Sequence, residues 1–221
     1  MRGLLETQAV TVRRGARPIL QDCTMRAAPG ALTAVMGPNG SGKSTLLRAL
    51  AGLWPPYAGS VLIDGVPLRT LSRTEIARRV GFLPQDTRCD FAFTVEEMVA
   101  MGRHAHRGCA GEHTRGRLAI DRAMATCGVS DLRHRAADRL SGGERHRVAI
   151  ARCLASEPRT LLLDEPTAHL DLQHALDIFA LGRSLAESGH AVVIATHDLG
   201  LMEQVDARRM ILSGGRLEIY D

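Results

Sequence analysis

The sequence predicts an α/β fold with a mainly parallel core sheet, N-terminal antiparallel β elements and an inserted helical subdomain. Three short apolar runs alternate with helical patterns, as in parallel sheets; they lie at 31–36, 161–163 and 191–195. Residues 85–140 carry helix-start signals and few strand patterns. A chain of 221 residues with 45% hydrophobic residues can bury the core that such a fold needs.

The N-terminal part of the chain predicts strands before its first helix. Residues 4–12 and 19–25 have the pattern of short strands, joined by a turn at 15–18. The apolar run at 31–36 ends in glycine and is followed by three leucines at helical spacing, Leu46, Leu47 and Leu50. This order predicts a buried strand, a loop and a helix.

Two capping boxes predict where helices begin further along. Ser72 and Thr94 are each followed three residues later by a glutamate, Glu75 or Glu97. The hydroxyl oxygen accepts from a free backbone N–H of the first turn, while the glutamate accepts from the N–H of the capping residue. A later helix is predicted from apolar side chains that recur at i, i+4 and i+7 and face the core: Leu172, Leu176 and Phe179.

The composition excludes several classes of protein. A net charge of +4 with only 3% aromatic residues does not suit nucleic-acid binding, which combines a basic face with stacking aromatics. No apolar run approaches the ~18 residues of a membrane-spanning helix, and the N-terminus lacks the apolar core of a secretion signal. The five cysteines form no C-x-x-C pair, so we expect reduced structural thiols in a cytoplasmic protein.

A glycine-rich loop between the predicted strand and helix fits G-x-x-x-x-G-K-[ST]. Glycines let backbone N–H groups approach phosphate oxygens, and the helix N-terminus adds its positive dipole. Lys43 would hold the β- and γ-phosphates, and Ser44 would hold magnesium. The alternative is a turn without a ligand, but Lys43 is the only lysine of the chain. The loop predicts a P-loop NTPase fold, with nucleotide held by Gly37, Pro38, Asn39, Gly40, Ser41, Gly42, Lys43, Ser44 and Thr45.

Two acidic residues follow the apolar run at 161–163. Asp164 lies where open α/β sheets bind ligands, at the carboxyl end of a strand, and could hold the magnesium shell. Glu165 could then point at the water that attacks the γ-phosphate. Adjacent acids are often only a solvated strand end, an alternative that the phosphate loop makes weaker.

Further motifs, taken with the phosphate loop, resemble those of ABC-transporter ATPases. They are Leu140-Ser-Gly-Gly-Glu144, Gln85 in Leu-Pro-Gln, Ala168-His-Leu-Asp171 and His197 in Ala-Thr-His-Asp. The family's ordered elements occur in the same order, and the resemblance covers essentially the whole chain. It implies one ABC ATPase domain over residues 1–221. Within it, residues 1–84 and 158–221 would form a RecA-like core with a β subdomain, and 85–157 the helical subdomain.

The resemblance also implies a head-to-tail homodimer with two ATP sites. Ser141, Gly142 and Gly143 would bind the γ-phosphate held by the other subunit, because they precede a helix whose N-terminus can bind an anion. Asp171 would couple the two sites across the dimer.

Three catalytic roles are likewise implied by the family. Glu165 would polarise the attacking water, and His197 would contact the γ-phosphate. Gln85 would complete the magnesium shell, with Ser44 and Asp164, and sense the transmembrane partner. The implied cofactors are ATP and Mg²⁺.

Residues 91–106 resemble the ATPases of importers for ferric siderophores, haem and cobalamin. The implied partners are transmembrane permease subunits and, indirectly, an extracytoplasmic substrate-binding protein, with no nucleic acid. The protein would then lie on the cytoplasmic face of the inner membrane as a peripheral subunit. Val95, Met98 and Val99 could line the groove that receives the permease, or they could be core. The alternative function is a soluble ABC ATPase of iron–sulphur cluster assembly.

ABC ATPases commonly stack an aromatic residue on adenine, whereas no aromatic residue occurs in residues 1–53 of this chain. Arg14 is the candidate substitute, or it is simply a solvated residue.

A cluster of possible metal ligands lies further along the chain: His104, His106, Cys109 and His113. Its spacing fits no closed zinc pattern, so we expect an exposed loop instead of a metal site.

Overall fold

The computed structural model describes residues 3–87, 92–168, 170–198, 200–201 and 205–220. The strands are β1 (Leu5–Arg14), β2 (Arg17–Ala27), β3 (Leu32–Met36), β4 (Ala58–Ile63), β5 (Val66–Pro67), β6 (Val80–Leu83), β7 (Thr160–Asp164), β8 (Ala191–Thr196), β9 (Arg208–Ser213) and β10 (Arg216–Tyr220). The α-helices are α1 (Lys43–Leu50), α2 (Arg73–Ala77), α3 (Val95–Ala100), α4 (Glu112–Thr126), α5 (Gly142–Ala155) and α6 (Leu172–Glu187). Cys89, Phe91 and His169 of the sequence motifs lie outside the described residues.

The strands form two sheets. The larger has the order β10-β9-β3-β8-β7-β6, and every pairing in it is parallel except that of β10 with β9. The smaller has the order β2-β1-β4-β5 and is antiparallel. The predicted mainly parallel core sheet and N-terminal antiparallel elements are therefore confirmed.

Helix α1 packs between the two sheets. Its side chains Leu46, Leu47 and Leu50 are fully buried in a core shared with Leu20 of β2 and Val193 of β8. The second core lies on the other face of the large sheet, against α3 to α6. Because β3, β7 and β8 are buried on both faces, they appear in the sequence as continuous apolar runs.

Both predicted capping boxes are present. The hydroxyl of Ser72 accepts from the N–H of Glu75, and the hydroxyl of Thr94 does the same for Glu97. The predicted core face of α6 is wrong at one position: Leu172 is 62% exposed, because the first turn of the helix lies outside the core, whereas Phe179 is buried.

Between β6 and β7 the described residues form helices and no strand longer than one bridge. Val95, Met98 and Val99 are all buried in the core there, so the structure decides between the two alternatives in favour of the core. Burial raises the pKa of the thiol of Cys127 to about 12 and that of Cys153 to about 11. Both thiols therefore stay protonated, as structural cysteines do. None of the described helices has the length and apolar character needed to cross a bilayer.

Candidate active site

The phosphate loop runs from the end of β3 to the start of α1. A Cβ at Gly37 would collide with the backbone oxygen of Leu212 in β9, so only glycine fits there. Gly42, at the N-cap of α1, has a φ of 109°, a left-handed conformation that side chains disfavour. No side chain caps α1 in the described structure. Its first N–H groups therefore remain able to bind an anion.

Lys43 is buried and directed back over this loop. Its Nζ donates to the carbonyl oxygens of Gly37 at 2.8 Å and Pro38 at 3.2 Å. The same atom forms an ion pair with Glu165 Oε1 at 3.1 Å, and both side chains are 5% exposed. The positive charge of Lys43 thus lies beside the loop and against the acidic end of β7.

Asp164 ends β7 next to the first turn of α1. Ser44 Oγ donates to Asp164 Oδ1 at 2.9 Å, whereas Oδ2 is buried and has no hydrogen-bond partner among the described residues. Burial raises the pKa of Asp164, and the hydrogen bond from Ser44 opposes that shift. A hydroxyl and a carboxylate oxygen without a partner are hard oxygen donors, which Mg²⁺ prefers.

Glu165 and His197 meet where β7 and β8 end side by side. His197 Nδ1 donates to Glu165 Oε2 at 2.7 Å. Glu165 has a φ of 49°, unusual for a residue with a side chain, and its N–H donates to the carbonyl of Ala195 at 3.0 Å. Such backbone strain is typical of functional sites. The structure therefore brings together Lys43, Ser44, Asp164, Glu165 and His197.

Ser141 caps α5. Its hydroxyl oxygen accepts from the N–H of Glu144 at 3.2 Å, and its own N–H donates to the Glu144 carboxylate at 2.7 Å. The hydroxyl hydrogen of Ser141 and the N–H groups of Gly142 and Gly143 are left for a ligand. Within the described part of the chain, no hydrogen bond joins this motif to the phosphate loop.

Two other predicted site residues, Gln85 and Asp171, form no hydrogen bond with this cluster in the described structure. Gln85, exposed after β6, lines a cleft of about 550 Å³ with Gly142 and Arg145. The hydrogen bonds of the described chain do not link Gln85 to Ser44 or Asp164. Asp171 is the N-cap of α6 and binds His174 of its own chain.

Arg14 lies at the end of β1, paired with Arg17 of β2, and is exposed. The residue before it, Arg13, contacts an aromatic side chain that the sequence alone did not reveal. The guanidinium of Arg13 stacks on the ring of Tyr57, 4.2 Å from its centroid. Tyr57 precedes β4, a strand that pairs with β1, and only this pairing could have revealed the contact.

The histidine–cysteine cluster does not form a metal site in the described part of the chain, where no three potential ligands converge. His106 Nε2 lies 2.9 Å from the carbonyl oxygen of Ser156, and Arg78 Nη2 lies 3.1 Å from Cys109 Sγ. These two contacts instead attach the segment after α3 to the residues that follow α5 and α2.

A phosphate loop at the end of β3, with acids at the end of β7 in the same parallel sheet, defines this chain as a P-loop nucleotide-binding protein. The profile of the ABC transporter family matches residues 20–168. The chain belongs to the ABC transporter family, which confirms the resemblance inferred from the motifs.

Named relatives support this assignment. The chain is 43% identical to the cobalamin import ATP-binding protein BtuD of Halobacterium salinarum over 96% of its own length, but spans only 54% of that relative. It is 40% identical to the hemin import ATP-binding protein HmuV of Rhizobium meliloti, over 97% of this chain and 84% of that one. The chain thus spans about half of the cobalamin relative and most of the hemin relative.

Solved structures share the fold. CbiO1 of Clostridium perfringens, part of the ABC transporter complex cbiONQ, superposes with a TM-score of 0.87 at 28% identity, covering 98% of this chain and 87% of that chain. The dimeric ATP-binding cassette MJ0796, bound to ADP and Pi, superposes with a TM-score of 0.81 at 30% identity, covering 97% and 96%. The predicted P-loop NTPase fold is confirmed.

Proposed function

We propose that the chain is the ATP-hydrolysing subunit of an ABC importer. The observation that carries this proposal is the convergence of Lys43, Ser44, Asp164, Glu165 and His197 at one end of the parallel sheet. A lysine and a free helix N-terminus suit phosphates, and a buried carboxylate beside a hydroxyl suits Mg²⁺. Residues 85–157 would act as the helical subdomain and the rest of 1–221 as the core.

The nucleotide would be held mainly through its phosphates. The amides of 37–45 bind phosphate oxygens, and Lys43 moves from its carbonyl contacts to the β- and γ-phosphates. Ser44 and Asp164 would hold Mg²⁺, and Gln85 would complete its shell. When bound, the ion would supply positive charge against the charge that develops on the phosphates. Arg14 stacks its guanidinium on the adenine face, a contact that does not read the base edges.

Hydrolysis would depend on Glu165 and His197. Glu165 orients and polarises a water molecule, whose oxygen bonds to the γ-phosphorus as the bond to the bridging oxygen breaks, giving ADP and inorganic phosphate. Because Nδ1 of His197 is bonded to Glu165, Nε2 is the ring nitrogen left for the γ-phosphate, and it would donate to a phosphate oxygen when it carries a proton.

A second copy of the chain would complete each ATP site. Two observations support this arrangement: Ser141 and Gly142 are exposed, and no hydrogen bond of the described residues joins this motif to the phosphate loop of its own chain. Their hydroxyl and N–H groups would bind the γ-phosphate of the other subunit, so ATP would join the two subunits and hydrolysis would release them.

The dimer is tested on a Glu165→Gln background, which slows hydrolysis. Sedimentation with Mg-ATP should show a dimer, and adding Ser141→Arg should return the monomer while monomeric nucleotide binding persists. A dimer that persists with Ser141→Arg would contradict the assignment of this motif to the partner's ATP.

A groove of about 390 Å³ supports docking of a permease subunit. Phe82, Met101 and Gly102 contribute apolar surface, and Arg73 and Arg152 contribute positive charge. No acidic residue lines this groove in the described structure. A short apolar segment with acidic groups would fit it, so the chain would be held on the cytoplasmic face of the inner membrane.

The cargo we propose is a ferric-siderophore, haem or cobalamin-like chelate, delivered by an extracytoplasmic binding protein. The names of the hemin and cobalamin import relatives support this class. Co-purification with a membrane permease, and cargo-dependent ATP hydrolysis in the reconstituted complex, test the proposal. Association with a soluble scaffold would instead indicate the alternative, iron–sulphur cluster assembly.

A further inference from the structure

His174 lies in the first turn of α6 and is tethered by the residue that caps this helix. Its Nδ1 lies 2.8 Å from Asp171 Oδ1 and 2.7 Å from Oδ2. Its backbone N–H also donates to Asp171 Oδ1 at 3.0 Å. The carboxylate thus restricts the orientation of the imidazole ring, although the side chain of His174 is 46% exposed.

The tethered ring lies directly against Gly143, at the start of α5. A Cβ at Gly143 would be only 2.5 Å from His174 Cδ2 and 3.3 Å from its Nε2. The φ of Gly143 lies outside the left-handed region, so this position needs glycine for space rather than for backbone conformation. The ring therefore occupies the place that a side chain would take.

We propose that His174 is a positioning residue that links Asp171 to the turn formed by Ser141, Gly142 and Gly143. This inference rests on the proposed function, in which that turn binds the partner's ATP. Asp171 is 65% exposed at its side chain and can be contacted by a second copy. A displacement of Asp171 therefore moves the ring of His174, and the ring in turn displaces Gly143. In this way, contact at the dimer interface changes the position of the phosphate-binding turn within the same chain.

The remaining contacts between α5 and α6 do not replace this one. Arg147 and Asp177 form an ion pair of 2.7 Å one turn further on, but both side chains are more than one third exposed. Exposed ion pairs of this kind contribute little. The ring of His174 lies against Gly143 in the first turn of α5, where the γ-phosphate would bind; Leu170 also reaches this turn, since its Cδ2 would be 3.3 Å from a Cβ at Gly142, but no side-chain bond ties Leu170 to Asp171 in the described structure.

The test uses the full chain with Glu165→Gln and compares His174→Ala with Gln173→Ala. Alanine keeps the backbone N–H that Asp171 caps, so α6 still begins normally. Gln173 is the matched control, because its side chain bonds only to Asp177 in the described structure, at 3.3 Å. We expect His174→Ala to weaken Mg-ATP-dependent dimerisation by about tenfold, with monomer affinity for ATP unchanged within about twofold.

The outcomes separate this inference from the function on which it rests. A Glu165→Gln parent that never dimerises overturns both. A parent that dimerises equally well with His174→Ala overturns only the role of His174. Weakening by Gln173→Ala to the same degree would also overturn it, because the effect would then belong to the helix end in general.

A thermal-unfolding cycle tests the packing without a dimer. Gly143→Ala should lower the unfolding midpoint in the wild-type chain, because the added Cβ meets the tethered ring. The same substitution in the His174→Ala background should cost clearly less, since the space is then open. Equal losses in the two backgrounds would overturn the contact.

Discussion

Replacing Glu165 by glutamine should change two properties at once, nucleotide-free stability and ATP hydrolysis. The side chain holds the buried ammonium of Lys43 at 3.1 Å and accepts from His197 at 2.7 Å. Glutamine has nearly the same shape but carries no charge. The substitution therefore removes the ionic attraction and the water-polarising group while leaving the space filled.

The magnitude follows from the geometry. Unit charges 3.1 Å apart attract by about 5 kcal/mol at an effective dielectric constant of about 20, before the cost of burying both. Removing one partner of a buried pair costs ~3–5 kcal/mol. Lys43 keeps the carbonyls of Gly37 and Pro38, so we expect a smaller loss of about 1–3 kcal/mol. At ~2–4 °C per kcal/mol, the unfolding midpoint should fall by at least about 2 °C.

The assay is thermal unfolding with and without Mg-ATP, beside steady-state phosphate release. Bound triphosphate supplies the negative charge that Lys43 has lost, so Mg-ATP should raise the midpoint more in Glu165→Gln than in wild type. Hydrolysis should fall ~10²–10⁴-fold. Glu187→Gln is the control, since Glu187 pairs with Arg183 at the surface and its loss should matter little. An unchanged nucleotide-free midpoint, or hydrolysis within a few-fold of wild type, would refute the reasoning.

Three further outcomes are expected. Lys43→Ala should abolish tight ATP binding, measured by nucleotide titration, because it removes the ammonium group that lies against the loop at Gly37 and Pro38; near-normal affinity would remove Lys43 from the site. Asp164→Asn should raise the unfolding midpoint at neutral pH without Mg²⁺, because it removes a charge that burial disfavours, and should abolish Mg²⁺-dependent hydrolysis. The pKa of Asp164 is raised in the folded protein, so its ionisation costs stability as pH rises; the gain should vanish below about pH 4, where Asp164 is protonated in both states. Arg14→Ala should weaken ATP and GTP alike by about fivefold, and Arg14→Tyr should restore both; unchanged affinities in Arg14→Ala would exclude stacking.

Features that depend on residues close in sequence were predicted correctly. The boxes at Ser72 and Thr94 need only a hydroxyl and a glutamate three positions apart, and both form. The phosphate loop is equally local, because its glycines and Lys43 lie between one strand and one helix. The strands at 31–36, 161–163 and 191–195 were visible because both of their faces are buried.

Features that depend on which elements become neighbours could not be predicted. Val95, Met98 and Val99 are equally suited to a groove or a core, and only the packing of α3 on α5 directs them inward. Tyr57 comes beside Arg13 because β4 pairs with β1, although β2, β3 and α1 lie between these two strands in the sequence. The same limit applies to His174, whose significance depends on the approach of α6 to Gly143.

The sequence by itself determined the fold class, the phosphate loop and the order of the family's motifs, because these follow from local spacing and from apolar runs. Tertiary structure decided that Lys43, Asp164, Glu165 and His197 share one site, whereas no hydrogen bond of the described residues joins Ser141 to it. The physical reason is the strand order: β8 pairs with β3 and β7 pairs with β8, all in parallel, so their carboxyl ends lie at the same edge of the sheet as the phosphate loop. At the start of α5, Ser141 and Gly142 are exposed, which leaves them accessible to the second copy that we propose.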